Sequence, residues 1–186
     1  DKAKNWEIVS PDLTRKLLDK DPEKADIPGG PIQNDATGVE VYSSIFALEE
    51  SPHNEGEIWV GSDDGLIHIT RDAGKTWQDI TPSKIIPYQG TINKIELSSH
   101  MAGRAIVAVY NYRNGDPKPY IILTDDYGKS WKLISKDNGI PDDHFVRAVA
   151  EDPSKRGLLY AGTEFGAFVS FDNGGSWNSL QLNLPH

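Results

Sequence analysis

Cysteine is absent from the 186 residues, so the chain can form neither disulfide bonds nor metal sites with thiolate ligands. This absence does not decide the redox compartment. Long apolar runs are missing as well, and without a stretch of about twenty apolar residues we expect no membrane insertion. No secretory signal sequence is visible at the N-terminus.

Basic residues are outnumbered by acidic ones. The chain has 19 Lys and Arg against 28 Asp and Glu, a formal net charge of -9 and a pI near 5.0. Because phosphates repel an acidic surface, we predict no nucleic-acid partner and no basic patch for a membrane surface. Cationic, neutral and protein partners remain open. The proportions of hydrophobic residues (37%) and charged residues (25%) are ordinary for a soluble globular protein.

Motifs for phosphate, metal or nucleophilic chemistry are also lacking. The sequence contains no glycine-rich phosphate loop and no Gly-x-Ser-x-Gly elbow. Its five histidines are scattered without metal-ligand spacing, and the acidic pairs at 63–64 and 125–126 lack the twelve-residue pattern of a calcium loop. We therefore predict neither a metal site nor a cofactor.

The chain does contain a repeated octapeptide. Residues 70–77, 124–131 and 170–177 all fit Ser/Thr-x-Asp-x-Gly-x-Ser/Thr-Trp. Such internal repetition takes priority over any single-residue pattern. An eroded fourth copy covers residues 1–6, so the chain begins inside a repeat. The specified positions of the three complete copies are Thr70, Asp72, Gly74, Thr76, Trp77, Thr124, Asp126, Gly128, Ser130, Trp131, Ser170, Asp172, Gly174, Ser176 and Trp177.

The octapeptide has the chemistry of a tight turn between two strands. Its aspartate can accept hydrogen bonds from backbone N–H groups just ahead, and its glycine can take a positive φ. The hydroxyls add side-chain to backbone bonds, and the tryptophan begins the next strand with its ring buried. The alternative, that Asp72, Asp126 and Asp172 are catalytic or metal ligands, is disfavoured because each carboxylate belongs to its own turn. We interpret these positions as structural.

The octapeptide resembles the Asp-box, or BNR repeat, of the sialidase, sortilin/Vps10 and xyloglucanase-like β-propellers. The resemblance covers nearly the whole chain apart from residues 10–42. It implies an all-β propeller of four-stranded antiparallel blades, with the box joining the third and fourth strands away from the ligand-binding mouth. It also implies an extracellular, cell-surface or periplasmic location. It leaves the function open, because these propellers serve hydrolases, receptors and assembly factors.

Recurring strand patterns between the octapeptides predict three blades. The second strand of each repeat is a continuous apolar run, which is typical of a strand buried on both faces. About three blades do not close a ring, since propellers have about 4–8. We expect the remaining blades of a longer chain, or less readily other protomers, to complete it. The predicted units are 1–9, the last strand of a preceding blade; 10–42, a long inserted loop with a short helix favoured at 14–20; and blades at 43–81, 90–135 and 144–182.

Ligand recognition is expected at the propeller mouth, where the turns between second and third strands meet the connections between blades. Aromatic residues beside polar and charged ones suit the recognition of a sugar or a peptide. For any one residue, a solvated loop is the alternative. The candidate ligand-binding residues are Asp63, Asp64, Tyr112, Arg113, Arg147, Glu164 and Phe165.

The resemblance implies two functions. The first, which we favour, is a non-catalytic binding or scaffolding propeller that recognises a protein or glycan, with no catalytic residue. The second is part of a secreted glycoside hydrolase, xyloglucanase-like or sialidase-like. A glycoside hydrolase needs two carboxyl groups about 5–5.5 Å or about 6.5–9.5 Å apart, and Asp63, Asp64 and Glu164 are the candidates for that pair. The Arg-Ile-Pro of sialidases does not occur in this sequence.

Overall fold

A computed structural model describes residues 6–15 and 42–181. Within these ranges the protein is all-β, with three four-stranded antiparallel sheets. We call them blade 1 (β1–β4), blade 2 (β5–β8) and blade 3 (β9–β12). No helix in the described ranges is long and apolar enough to cross a membrane. The strands are β1 Ile45–Glu50, β2 Ile58–Ser62, β3 Ile67–Thr70, β4 Gln78–Asp79, β5 Thr91–Leu97, β6 Ala105–Asn111, β7 Asp116–Thr124, β8 Lys132–Leu133, β9 Val146–Glu151, β10 Leu159–Thr163, β11 Gly166–Ser170 and β12 Asn178–Ser179.

Each blade is a meander in which every strand pairs with the next one along the chain. The first strand of each blade carries a bulge at the same place, and the extra residue is Phe46, Asn93 or Arg147. A bulge bends its strand and re-aims the extra side chain. The three blades therefore have the same strand topology and also the same bulge in the first strand.

The hydrophobic core lies between successive blades. One cluster joins Trp59 and Ile67 of blade 1 to Ile92 and Ile95 of blade 2, and a second cluster joins blades 2 and 3 in the same way. Gly61 shows how closely the first pair packs, because a Cβ at this position would lie 2.2 Å from Cγ2 of Ile92. Stacking of this kind, face on face, is the packing of a propeller, and the predicted fold class is confirmed.

The octapeptides fold as predicted turns and also tie each blade to the preceding one. Indole Nε1 of Trp131 donates to the carbonyl of Ile80 at 3.0 Å, and Nε1 of Trp177 donates to the carbonyl of Ile134 at 2.7 Å. Each acceptor lies three residues after the tryptophan of the preceding octapeptide. Trp77 makes the corresponding bond, of 2.9 Å, to the carbonyl of Val9.

Residues 6–15 belong to none of the three sheets. The segment predicted as a strand, 6–9, does not form a strand and has no ladder partner among the described residues. Val9 nevertheless stands three residues after Trp6, as Ile80 stands after Trp77. Residues 1–5 of the eroded octapeptide, and 16–41 of the predicted loop and helix, lie outside the described ranges.

Candidate binding site at the mouth

The antiparallel order of the strands sends the connections of each blade to two opposite edges. The octapeptides join the third and fourth strands at one edge, whereas the turns between second and third strands lie at the other, which we call the mouth edge. All seven candidate residues lie at or next to the mouth edge. They fall in the β2–β3 turn, the 3-10 helix Tyr112–Asn114 that follows β6, the start of β9 and the β10–β11 turn.

Arg147 is the centre of an aromatic cluster between blades 2 and 3. Its guanidinium carbon lies 5.0 Å from the ring centre of Tyr110, 5.1 Å from that of Tyr112 and 4.9 Å from that of Phe145. Tyr112 and Phe145 stack on each other at 4.6 Å. An arginine within about 6 Å of a ring is attracted by the ring's negative face, so the three rings hold the guanidinium in place. We call these four residues the Arg147 cluster.

Local backbone features put the members of the Arg147 cluster together. Arg147 is the bulge residue of β9, which re-aims its side chain relative to its neighbours on the strand. Tyr112 begins the 3-10 helix, and Gly115 ends that helix with a φ of 77°. Tyr110 is buried near the end of β6, and its ring centre lies 5.1 Å from that of Tyr112.

Charge in the Arg147 cluster is balanced by one carboxylate. Nε of Arg147 donates to Oε2 of Glu164 at 3.0 Å, and both side chains are partly exposed. Desolvation lowers the pKa of Arg147, but the bond and charge of Glu164 outweigh it, so the pKa is raised and the cation is maintained. Burial raises the pKa of the Tyr110 hydroxyl, which therefore stays neutral. Because Tyr110 and Phe145 are buried, the groups that reach solvent here are the ring of Tyr112, the cation of Arg147 and the carboxylate of Glu164.

Phe165 extends the aromatic surface along blade 3. Its ring is 52% exposed and lies 4.9 Å from the imidazole of His144. Nδ1 of His144 is 2.7 Å from Oδ1 of Asp143, and this hydrogen bond holds the pKa of Asp143 below its ordinary value. The exposed ring of Phe165, next to the hydrogen-bonded His144 and Asp143, supplies a further apolar contact at the same edge.

Asp63 and Asp64 lie at the mouth edge, but both are buried. Oδ1 of Asp63 accepts the backbone N–H of Ser44 at 2.8 Å. Asp64 is 0% exposed, and its carboxylate accepts the hydroxyl of Ser62 at 2.5 Å and the backbone N–H of Arg15 at 2.7 Å. In this geometry the two aspartates hold Ser44, Ser62 and Arg15 against the β2–β3 turn.

Arg113 lies beside the Arg147 cluster, with its guanidinium carbon 5.6 Å from the ring centre of Tyr110. The β6–β7 turn therefore contributes a second cation to the same edge. In the part of the chain that the structure describes, no three His, Asp or Glu side chains come together in a group that could hold a metal ion.

Phe145 and Arg15 are not among the residues predicted from the sequence. Phe145 stands two positions before Arg147, directly ahead of β9, and its ring stacks on that of Tyr112. Arg15 is distant in sequence from the β2–β3 turn, yet its Nε donates to the carbonyl of Asp64 at 2.8 Å. A His-Phe pair directly before a predicted first strand is a signal that was available for Phe145.

No protein-family model matches the chain. Among curated proteins, it is similar to an oligoxyloglucan-reducing end-specific xyloglucanase of Emericella nidulans, with 29% identity over 129 residues. That match covers 68% of this chain but only 15% of the xyloglucanase.

Solved structures show the fold more broadly. YCF48 from Cyanidioschyzon merolae superposes with a TM-score of 0.57 at 20% identity, over 73% of this chain and 39% of YCF48. A structure of YCF48 bound to D1 peptide gives a TM-score of 0.55 at 19% identity, over 74% of this chain and 39% of that one. An ancestral GH74 enzyme gives a TM-score of 0.58 at 21% identity, over 75% of this chain and 18% of the enzyme. These likenesses support a propeller, and the chain spans well under half the length of each.

Proposed function

We propose that this chain is the ligand-binding part of a non-catalytic β-propeller, which recognises a protein or glycan at the mouth edge through Tyr112, Arg147, Glu164 and Phe165. Arg113 flanks this surface. Asp63 and Asp64 are left out of it because their carboxylates are buried and bonded to neighbouring residues.

The observation that carries the proposal is the guanidinium of Arg147 held over three rings and against Glu164. Aromatic faces stack on sugar rings and peptide side chains, while a fixed cation and anion provide directional hydrogen bonds. Preorganised groups of this kind bind with little loss of side-chain entropy. Their partial exposure leaves them accessible at the mouth edge.

Binding is tested with two probes, a displayed library of random peptides and an array of neutral glycans that includes xyloglucan oligosaccharides. The tightest binder from each is then measured by calorimetry against wild type, Arg147→Ala and Tyr112→Ala. We expect each substitution to weaken binding about tenfold or more, since each removes a contact at the centre of the surface. The matched control is Lys155→Ala, an exposed residue of the β9–β10 turn at the octapeptide edge, which is expected to bind as wild type does.

Loss of binding counts only if the variants fold, which far-UV circular dichroism and the urea midpoint establish. Binders from both probes that are unaffected by Arg147→Ala and Tyr112→Ala would place recognition elsewhere and overturn the proposal. The complex of YCF48 with a peptide makes a peptide the first class to screen.

The second candidate function is part of a glycoside hydrolase, and its support is the similarity to a xyloglucanase. The carboxylates at the mouth edge argue against it within this chain. Glu164 is paired with Arg147, and Asp63 and Asp64 are buried and accept hydrogen bonds from other residues of the protein. The three predicted carboxylates therefore provide no accessible acid and nucleophile in the described part.

We also propose that the octapeptides are Asp-boxes. Their support is an identical set of bonds in each copy: the aspartate accepts the hydroxyl two residues before it, and both the backbone N–H and the hydroxyl four residues after it. A location outside the cytoplasm, and completion of the ring by further blades of a longer chain, remain predictions of the same resemblance.

A further inference from the structure

A groove separate from the mouth edge runs between blades 1 and 2 beside the octapeptide of blade 2. Its volume is about 560 Å³, and its walls include Ile80, Lys84, Gly128, Lys129 and Trp131. Trp131 is only half buried here. Because the blades repeat one plan, the equivalent place between blades 2 and 3 shows what such a groove accommodates.

Between blades 2 and 3 the equivalent place is filled by Asn138. Its side-chain Nδ2 donates to the carbonyl of Ile134 at 2.9 Å and to the carbonyl of Gly174 at 2.8 Å. Its own backbone carbonyl accepts the N–H of Trp177 at 2.7 Å. The result is that Trp177 is only 4% exposed.

The groove between blades 1 and 2 has the same three polar atoms in repeat-equivalent positions. They are the carbonyls of Ile80 and Gly128 and the backbone N–H of Trp131, and all three residues line the groove. Within the described residues, the Gly128 carbonyl and the Trp131 N–H make no hydrogen bond to protein, and the Ile80 carbonyl accepts only the Trp131 indole. Lys84 lies four residues after Ile80, as Asn138 lies four after Ile134, but it is exposed and makes none of these bonds.

We propose that this groove binds an asparagine presented by a loop of another protein, in the way that Asn138 is bound within this chain. One nitrogen must donate to two carbonyls, and a primary carboxamide has the two N–H groups that this requires. The acetamido group of a sugar has one N–H and can satisfy only one carbonyl. Asn138 of a second copy is excluded as the occupant because its own blades engage it.

The loop around Asn138 indicates the conformation that such a partner presents. Asp137 and Gly139 flank the asparagine, and both have positive φ, of 54° and 121°. A partner sequence Asp-Asn-Gly adopts this shape readily, since Asp tolerates the left-handed region and Gly favours it. Lys84 and Lys129 line the groove and favour an acidic residue at the position of Asp137.

The test uses a cyclic peptide that copies residues 136–141, Lys-Asp-Asn-Gly-Ile-Pro, added to isotope-labelled protein and followed by NMR. We expect saturable shifts of the Trp131 backbone and indole N–H signals. A peptide with Asn→Leu at its central position loses both donated bonds and is expected to bind about tenfold more weakly. Ser83→Trp, which places a large ring in the groove from an exposed position, is expected to abolish the shifts while the remaining spectrum is retained.

Three results would overturn the proposal. The Trp131 signals do not move at millimolar peptide, or the Asn→Leu peptide binds equally well, or Ser83→Trp leaves the shifts unchanged. N-acetylglucosamine is titrated in parallel, and stronger shifts of Trp131 with this sugar than with the peptide would assign the groove to a glycan instead.

Discussion

Arg104 is a fully buried cation that ties blade 2 to blade 3 at the octapeptide edge. Its Nη2 lies 2.8 Å from Oε1 of Glu151, and its Nη1 lies 2.7 Å from Oδ1 of Asp125. It also donates to the side chain of Asn173. Burial alone would raise the pKa of Glu151, but hydrogen bonds from Arg104, Ser98 and the Gly157 N–H, together with the charge of Arg104, outweigh burial and lower the pKa. Both charges are therefore present in the folded protein at neutral pH.

Replacing Arg104 with Met is expected to destabilise the fold by about 3–5 kcal/mol, because it leaves the carboxylate of Glu151 buried without its cation. The free energy of unfolding in urea at pH 7 measures this loss. The control is Arg156→Met, whose exposed guanidinium lies 3.5 Å from the same Asp125; it is expected to change stability by about 0–1 kcal/mol. Equal losses in the two variants would contradict a special role for Arg104.

The same ion pair gives a pH dependence of known sign. The pKa of Glu151 is lower in the folded protein than its ordinary value of 4.5. The stability that ionised Glu151 contributes is therefore fully present above about pH 4.5 and is lost as the pH falls through the folded pKa. We expect the urea midpoint to fall between pH 5 and pH 3, with a shallower fall in Arg104→Met. Hydrogen bonds also lower the pKa of each of the three octapeptide aspartates, so the stability of Arg104→Met still depends on pH in this range. If the urea midpoints of wild type and Arg104→Met fall in parallel with pH, the pairing of Glu151 with Arg104 does not contribute to the pH dependence of stability.

Among the secondary-structure elements and the turns between them, the octapeptide turn is the feature that the sequence predicted best. Its turn, its hydroxyl and carboxylate bonds and its place between third and fourth strands all follow from residue types and their order. The predicted burial of the tryptophan rings is confirmed for Trp177 and is wrong for Trp77 and Trp131. Trp177 is buried, but Trp77 and Trp131 are half buried, because what covers each ring comes from a connection of different sequence in each repeat.

Trp177→Ala is therefore expected to be the most damaging of the tryptophan substitutions, at about 3–5 kcal/mol for a buried large aromatic. Trp131→Ala is expected to destabilise by less than Trp177→Ala, because part of its ring already faces the groove. Chemical denaturation of the two variants gives the comparison. A larger loss for Trp131 would mean that the groove is covered in solution.

At the scale of the whole molecule, blade 1 has a face that nothing in the described part covers. Leu48 is 62% exposed, whereas Ile95 and Val149, at the same position of blades 2 and 3, are 0% and 4% exposed. The opposite face of blade 3 is open in the same sense: a Cβ on Gly162 would meet only Ala148 of its own blade. The equivalent Gly61 receives Ile92 of the next blade. These faces fit the predicted further blades.

If the face of blade 1 is open in the isolated chain, Leu48→Ala changes the free energy of unfolding by about 0.5 kcal/mol or less. Ile95→Ala is the matched variant and is expected to destabilise by about 2–5 kcal/mol, since it leaves a cavity between blades 1 and 2. Urea unfolding of both tests this. A loss of several kcal/mol at Leu48 would show that another surface packs on it.

The mouth was predictable as a location but not as a set of contacts. Strand order put Tyr112, Arg147, Glu164 and Phe165 at one edge, and the structure places them there. Asp64 is buried and is bonded to Arg15, which lies 49 residues before it in the sequence. Local residue patterns do not encode such long-range contacts, so an acidic turn that suggested a ligand site is occupied by the protein itself.

Binding without hydrolysis at the mouth edge is tested by measuring reducing-end release from xyloglucan oligosaccharides over pH 4–8. We expect no release above the rate in buffer, because Glu164 is paired with Arg147 and the two aspartates are buried. Release by wild type that disappears in Glu164→Gln or Asp64→Asn, with folding of both variants verified by circular dichroism, would overturn the proposed non-catalytic function and assign the chain to the hydrolases.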